Sequence, residues 1–192
     1  MKRLGLYIFL TALVAVSMTS CMTPTPPVIY QTLDSVLTSG RMEYYGAFYK
    51  NEGIDYDVLC LDLYSNGLRL NKQGVMEGTG TNLYISDIFV TTATPKASKA
   101  EDYMPEDTYL SDSLPVVSHF LRGVNYEGNF AGSYVLLMGE VGYSVLPITE
   151  GHMSVRYEGD TLVLDGRATV QGQNKPYPFH YRDILPVIRR ER

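Results

Sequence analysis

The chain has 192 residues and a formal net charge of −5, with 16 lysines and arginines against 21 aspartates and glutamates. A mildly acidic chain without a basic run is a poor candidate for binding nucleic acid or anionic lipid headgroups, so we expect no nucleic-acid partner. The sequence has only two cysteines, which excludes a small fold built around several disulfides.

The N-terminus has the pattern of a secretory signal. Lys2 and Arg3 precede the apolar run Leu4–Val16, and small residues then lead to Cys21. The run is too short to span a bilayer as a stable anchor. A cysteine at this position resembles the lipobox of bacterial lipoproteins, in which the cysteine is lipidated. The resemblance implies a signal peptide over residues 1–20 and a triacylated, palmitate-bearing Cys21 that holds the chain firmly to the membrane.

Residues 21–32 are predicted to form a tether that begins at the lipidated cysteine. Pro24, Pro26 and Pro27 keep this segment extended and unable to join a sheet. Residues 33–192 then have the length of a single domain with its own core. Surface-displayed lipoproteins of this kind often carry an acidic cluster after the cysteine, and here the following residues are uncharged. The periplasmic face of the outer membrane and the cell surface both stay open as locations.

The domain has the sequence texture of an all-β fold. In Asp55–Tyr64 the leucines recur with the period of two that a strand needs, and Asn66-Gly67 predicts a hairpin turn into a return strand over Leu68–Leu70. Leu33–Gly40 instead suggests a short helical turn. About nine or ten short strands, separated by Gly, Asn and Asp turns, predict an antiparallel β-sandwich or β-barrel.

Two residues in the strand after Asp55 bear on chemistry. Cys60 has no partner in the chain if Cys21 carries lipid, and it lies in an apolar run, so we expect a buried, inert thiol. Asp62 alternates out of the apolar face and is expected to be solvated. A pair of carboxylates for glycoside hydrolysis needs a defined separation across a cleft, which a sequence cannot show.

Several short motifs resemble a group of uncharacterised Bacteroidales-type lipoproteins. They are the aromatic Tyr44-Tyr45-Gly46, the strand and turn over Leu61–Leu68, the Gly-x-Gly lead-in over Gly78–Ile85, the Pro-Glu-x-Thr-Tyr element at Pro105–Tyr109, and the closing Gly151–Asp160. The resemblance covers most of the mature chain. It implies an all-β, calycin-like domain on an outer-membrane lipoprotein, and it implies no catalytic residue.

An acidic stretch after residue 100 is the best candidate for a cation site. Calcium prefers several hard oxygens on a flexible loop, which this stretch supplies. It lacks the spacing of an EF-hand, and a solvated acidic loop is the favoured interpretation, so we assign no metal. The acidic residues of the loop are Glu101, Asp102, Glu106, Asp107 and Asp112.

Three tripeptides that begin with aspartate resemble the O-glycosylation acceptor of exported proteins in this bacterial lineage. The acceptor residues are Ser35, Ser113 and Thr161. Asp160-Thr161 is as readily explained as a plain hairpin turn.

The 16 tyrosines, with no tryptophan, favour two interpretations. Tyrosine suits half-buried strand positions and is also enriched on binding surfaces. Packing between strands is the alternative to a platform on which sugars stack. The platform candidates are Tyr44, Tyr45, Tyr49, Tyr126 and Tyr134.

The sequence contains no motif of a common hydrolase, phosphate-binding or dinucleotide-binding site, so no catalytic residue and no cofactor is predicted. We expect a membrane-anchored envelope lipoprotein with a non-catalytic ligand-binding or accessory module, whose ligand is a glycan, a peptide or a small apolar molecule. The alternative is a structural or protein-interaction component of the cell envelope. A hydrolase with dispersed carboxylates is the least favoured hypothesis.

Lipidation of Cys21 has a direct test. Radiolabelled palmitate should enter the wild-type chain, and the Cys21→Ser variant should leave the membrane fraction, because the acyl chains supply the attachment. A variant that fractionates with its parent, or a parent that takes up no palmitate, would show that the chain is held in another way.

Overall fold

A computed structural model describes residues 32–91 and 99–190 of the chain. In these ranges the protein is all-β, as the sequence predicts, and its residues belong to one compact unit that begins at Thr32. Short 3-10 turns occur at Lys50–Glu52 and Ala100–Asp102, and the described residues form no α-helix. The strands, in chain order, are β1 (Val36–Leu37), β2 (Ser39–Gly46), β3 (Asp57–Tyr64), β4 (Leu68–Leu70), β5 (Met76–Gly78), β6 (Gly80–Val90), β7 (Asp107–Asp112), β8 (His119–Leu121), β9 (Val124–Tyr126), β10 (Asn129–Ala131), β11 (Tyr134–Gly139), β12 (Gly142–Glu158), β13 (Thr161–Val170), β14 (Tyr177–Asp183) and β15 (Val187–Arg189).

Five of these strands close on themselves as a barrel. The first half of β6 pairs with β11 and its second half pairs with β8. The long strand β12 pairs first with β11 and then with β7, and β7 and β8 pair in parallel. The two longest strands, β6 and β12, are therefore connected twice, once through β11 and once through the β7–β8 pair.

The other strands extend the barrel into a larger sheet, and β1, at one end of it, continues along the chain into β2, next to the other end. β13, β14 and β1 continue from β12, and β3, β2 and β15 continue from β6. Only Thr38 separates β1 from β2, and its N–H donates to the Tyr64 carbonyl with an N···O distance of 2.9 Å. The helical turn predicted over Leu33–Gly40 is wrong, because Val36 pairs with β14 and Leu37 is buried in the core.

The Asn66-Gly67 turn forms, but it does not return the chain along β3. The Leu68 N–H donates to the Ser65 carbonyl at 3.0 Å, and β4 then pairs with β5 as a separate two-stranded sheet. The predicted hairpin is wrong in its partner because β2 and β6 already occupy both edges of β3.

The alternation predicted for β3 is confirmed. Leu59, Leu61 and Leu63 are fully buried in the main core, whereas Cys60 lies on the opposite face of the strand. Burying a side chain of this size contributes about 1.5–3 kcal/mol, so this core is the main source of stability. Other fully buried members are Met42, Leu83, Ile85, Ile88, Met104, Val135, Ile148, Met153, Leu162 and Leu164.

Both long strands are irregular at the point where they change partner. In β6, Asp87 is an extra residue opposite Cys60, and its φ is 46°. In β12 the register shifts between Ile148 and Glu150, which makes Thr149 the extra residue. Such bulges bend a strand and increase its twist, as the closure of a small barrel requires.

Ser133 connects the two irregular points. Its Oγ accepts the Ser86 N–H at 3.0 Å and donates to the Leu121 carbonyl at 2.5 Å. Its own carbonyl accepts the Ile148 N–H at 3.0 Å. Because Ser133 is fully buried, it satisfies backbone groups that the change of partner would otherwise leave without a hydrogen bond.

The Ser133→Ala variant should lower the free energy of unfolding by about 1–3 kcal/mol, because the Ser86 N–H loses its acceptor. Urea unfolding monitored by circular dichroism measures the loss. The matched control is Ser144→Ala, at an exposed position of β12, which should change stability by less than about 0.5 kcal/mol. Equal effects of the two substitutions would contradict the role given to Ser133.

Candidate functional site

The candidate site lies on the outer face of β2, β3, β6 and β11, which points away from the main core. Four residues lie directly opposite one another across these strands, namely Arg41, Asp62, Tyr84 and Tyr134. Because side chains alternate along a strand, this row lies on the side opposite the core leucines. We call this surface the tyrosine face, and its members are Glu43, Tyr45, Tyr49, Cys60, Asp62, Tyr84, Asp87 and Tyr134.

Aromatic rings cover much of the tyrosine face. Tyr84 and Tyr134 stack with their ring centroids 5.0 Å apart. Phe48 contacts Tyr45 and Tyr49 edge-on, with centroid distances of 5.8 and 4.9 Å. The four tyrosines are half-buried and Phe48 is 40% exposed, so part of this ring surface is in contact with solvent.

A small buried layer lies on the same side of the sheet. Val58, Cys60 and Phe89 are at most 2% exposed, although they face away from the main core. The prediction of a buried free thiol is confirmed. Burial raises the pKa of Cys60, and hydrogen bonds with Tyr84 and the Asp87 N–H offset this only in part. A thiol held in its neutral form is a poor nucleophile.

Two carboxylates of the tyrosine face are held by arginines. Glu43 Oε1 lies 2.5 Å from Arg190 Nη2 and 3.3 Å from Arg41 Nε. Asp62 accepts a hydrogen bond of 2.7 Å from the Asn82 amide and lies 3.1 Å from Arg41 Nη2. The expected solvation of Asp62 is wrong, because these side chains contact its carboxylate and leave the residue only 7% exposed.

Burial and hydrogen bonding have different net effects on the two carboxylates. Burial raises the pKa of Asp62, and the Asn82 hydrogen bond and a nearby arginine reverse this only in part. Burial alone would also raise the pKa of Glu43, but hydrogen bonds from Arg190 and Tyr45 and two arginine charges outweigh it and lower the pKa. Burial, followed by the hydrogen bond to Glu43, raises the pKa of Tyr45 to about 12.

Asp87 differs from these two carboxylates. Its Oδ2 accepts the Tyr49 hydroxyl at 2.7 Å, and its Oδ1 lies 3.9 Å from Cys60 Sγ. Burial, and then this bond to Asp87, raise the pKa of Tyr49. In the part of the chain that the structure describes, Asp87 forms no ion pair. Among the described residues, the side-chain groups that contact its carboxylate are the Tyr49 hydroxyl and the Cys60 thiol, and neither carries a positive charge.

The predicted tyrosine platform is only partly one surface. Three of its five members lie on the tyrosine face, namely Tyr45, Tyr49 and Tyr134. Tyr44 points to the other side of β2, where its ring centroid is 4.7 Å from that of Tyr103. Tyr126 is 72% exposed on the β9–β10 hairpin. Including Tyr44 with Tyr45 is wrong because neighbouring residues of a strand point to opposite faces.

Sequence reasoning did not single out Tyr84 and Asp87, which complete the tyrosine face. The alternation of Leu83 and Ile85 places Tyr84 on the outer side of β6, so this residue could have been found. The bulge at Asp87 has no comparable signal, because a residue with positive φ is most often glycine.

The acidic loop does not converge on one point. Among residues 32–91 and 99–190, no three His, Cys, Asp or Glu side chains are grouped so that they could hold a metal ion. Glu101 is exposed, and the other carboxylates accept hydrogen bonds from neighbours. The pairs are Asp102 with the Lys99 N–H, Glu106 with the Tyr157 N–H, Asp107 with the Ser118 hydroxyl, and Asp112 with the Ser113 and Leu114 N–H groups.

The three proposed O-glycosylation acceptors differ in their exposure to solvent. Ser113 is exposed, whereas Ser35 and Thr161 are half-buried. Cys21 and the whole signal and tether region up to residue 31 lie outside the described residues. A helix with the length and apolar character needed to cross a bilayer does not occur in the described ranges.

An open groove of about 500 Å³ lies on another part of the sheet, along β1, β12, β13 and β14. Four of its five acidic or basic side chains are paired with an oppositely charged neighbour, and the fifth, Asp183, accepts the N–H of Ile184. Arg156 and Arg182 both contact Glu158, and His180 Nδ1 lies 2.6 Å from Asp165 Oδ1. The tyrosine face, which contains Asp87, is therefore the better candidate site.

No protein family, no curated protein and no solved structure matches this chain. The class that the structure defines is an all-β domain in which a closed five-stranded barrel carries additional strands. The chemistry of the tyrosine face must therefore be judged from its own residues.

The Glu43→Gln variant should be less stable than wild type near neutral pH, and the difference should shrink in acid. Glu43 has a lowered pKa in the folded protein, so its stabilisation is present above about pH 4.3, the ordinary glutamate value, and is lost as the pH falls through the folded pKa. Urea unfolding of both proteins from about pH 7 to about pH 3 measures this difference.

The control for this measurement is Glu77→Gln. Glu77 pairs with Arg69 at 3.7 Å on the surface, where an ion pair contributes little, so this substitution should have a small effect at every pH. A stability difference for Glu43→Gln that stays constant as the solution is acidified would contradict the proposed electrostatic role.

Proposed function

We propose that the protein is an envelope lipoprotein anchored to the outer membrane through Cys21, and that its domain is a non-catalytic module that binds a glycan on the tyrosine face. The observation that carries this proposal is the gathering of four half-buried tyrosines around carboxylates on the outer side of one sheet. The basic start, short apolar run and cysteine of the N-terminus support the location.

The chemistry of the tyrosine face suits a ligand rich in hydroxyl groups. A sugar ring has C–H faces that pack on aromatic rings and hydroxyls that donate to carboxylates and phenolic oxygens. Tyr84 and Tyr134 offer a stacked pair of rings, and Tyr45 and Tyr49 each hold their hydroxyl against a carboxylate. Side chains held in place in this way lose little further entropy when a ligand binds.

A small apolar ligand fits the fold less well than a glycan. Such a ligand needs an enclosed apolar cavity, which in a β-barrel is the interior. Here the inward-facing positions carry large aliphatic side chains, and Leu83, Val135 and Ile148 are fully buried. The filled interior leaves the outer face as the better surface for recognition.

Three ionisable side chains of the tyrosine face, Cys60, Glu43 and Asp62, are poorly suited to a hydrolase site. Cys60 is buried and its pKa is raised, so it is not an activated nucleophile. Glu43 and Asp62 are both less than 9% exposed and both contact Arg41, which leaves neither free to exchange protons with a bound substrate. Binding without catalysis is the function that this arrangement supports best.

A glycan array probed with the full chain in detergent tests the proposal. Wild type should bind a defined set of glycans, and Tyr84→Ala and Tyr134→Ala should each weaken binding by about tenfold or more, because each removes a ring of the stacked pair. Circular dichroism and urea unfolding of the variants verify that the fold is retained.

The matched control is Tyr126→Ala, which removes an exposed tyrosine from a different surface and should leave glycan affinity unchanged. If wild type bound no glycan, or if the Tyr84 and Tyr134 variants bound as tightly as wild type, the tyrosine face would not be the glycan site.

The β9–β10 hairpin favours a second candidate function, interaction with another envelope protein. Val124, Tyr126 and Phe130 are 51%, 72% and 42% exposed on this short hairpin. Its base is fixed by close backbone approach, since a Cβ at Gly123 would lie 1.9 Å from the Ser133 carbonyl. Under this alternative, Tyr126→Ala would abolish cross-linking to an envelope partner, and the array would show no glycan.

A further inference from the structure

We propose that the tyrosine face selects glycans that carry a free amino group, and that the Asp87 carboxylate binds the ammonium. This inference rests on the proposed glycan binding and adds the chemical class of the ligand. The ligand would be an oligosaccharide containing an unacetylated amino sugar, with its hydroxyls and C–H faces on the tyrosines and its ammonium at the bulge of β6.

The three carboxylates of the tyrosine face are not equivalent. Glu43 is held by two arginines and Asp62 by one, with contacts between 2.5 and 3.3 Å. Asp87 has only the Tyr49 hydroxyl at 2.7 Å and the more distant Cys60 sulfur as side-chain partners among the described residues. Arginine charges therefore compensate Glu43 and Asp62, whereas no arginine among the described residues compensates Asp87.

A half-buried carboxylate without a cation is costly, because it loses part of its hydration and gains no opposite charge. An ammonium placed beside Asp87 would offset this cost with a charge-assisted hydrogen bond. These features make an amine a better match for this position than a neutral hydroxyl.

The backbone conformation at Asp87 requires a residue that tolerates a positive φ, but it does not require a negatively charged one. Its φ of 46° lies in the left-handed region, which glycine, asparagine and aspartate all adopt. Asparagine would keep the bulge and could still accept the Tyr49 hydrogen bond through its amide oxygen. Neither the backbone nor the Tyr49 hydrogen bond therefore requires a negative charge at this position, which is consistent with a charge that serves a ligand.

Because asparagine also tolerates this backbone conformation, the Asp87→Asn variant changes the charge without disturbing the bulge. It removes one negative charge and keeps the size and the backbone preference of the residue. The matched control is Glu127→Gln, which also removes one negative charge at a positive φ, here 51°, but in the turn of the β9–β10 hairpin. Any non-specific attraction of cations to the acidic protein would be reduced equally by both substitutions.

Calorimetry of the full chain in detergent should compare a glucosamine tetramer with its fully N-acetylated counterpart, at low salt and at a pH below the pKa of the sugar amine. Wild type and Glu127→Gln should bind the cationic tetramer about tenfold more tightly than the neutral one. Asp87→Asn should lose this preference while its affinity for the neutral tetramer is unchanged. The preference should also disappear when the amine is deprotonated at higher pH.

Each other outcome separates this inference from the proposed function. Equal affinity of wild type for the two tetramers, or a preference that Asp87→Asn retains, would overturn the amine selectivity and leave glycan binding in place. A lysine peptide that competes as well as the cationic tetramer would show that Asp87 recognises any amine, which overturns the assignment to an amino sugar. Binding of no glycan on the array would overturn both.

Discussion

The structure depends on the way in which two long strands change partner. β6 and β12 each pair with β11 over one half and with a different strand over the other half, and each carries a bulge at the change. Ser133 joins the two bulges by accepting the Ser86 N–H with its hydroxyl and the Ile148 N–H with its carbonyl. Without this connection the barrel would have unpaired backbone groups in its buried wall, which is among the most costly defects in a fold.

The same bulge that helps to close the barrel also creates the candidate site. Asp87 is the extra residue of β6, and its side chain lies on the outer face beside Cys60 and Tyr49. Without the bulge, the residues of β6 that follow Asp87 would pair in a register shifted by one residue. No residue of β6 would then adopt the left-handed conformation of Asp87. The fold and the proposed ligand site are therefore coupled through one local irregularity, and the arginines that hold Glu43 and Asp62 fix the rest of the tyrosine face around it.

Local patterns in the sequence predict the strands and their buried faces, but not how the strands pair. The alternation of leucines in β3 follows from a period of two, the burial of Cys60 follows from the apolar run around it, and both are confirmed. The Asn66-Gly67 turn is also correct locally, yet its return strand pairs elsewhere because the edges of β3 are taken by segments distant in sequence. For the same reason the sequence could suggest Tyr45, Tyr49 and Tyr134 as a platform but could not separate Tyr126 from them or add Asp87.

Native-state hydrogen exchange tests most directly the claim that one connection holds the barrel and the site together. If the account is correct, the amides of Ser86, Ser133 and Ile148 exchange only by global unfolding, with protection free energies equal to the free energy of unfolding from urea. If these amides exchange through a local opening while the β13–β14 amides stay protected, the junction is a weak point of the sheet and the account is contradicted.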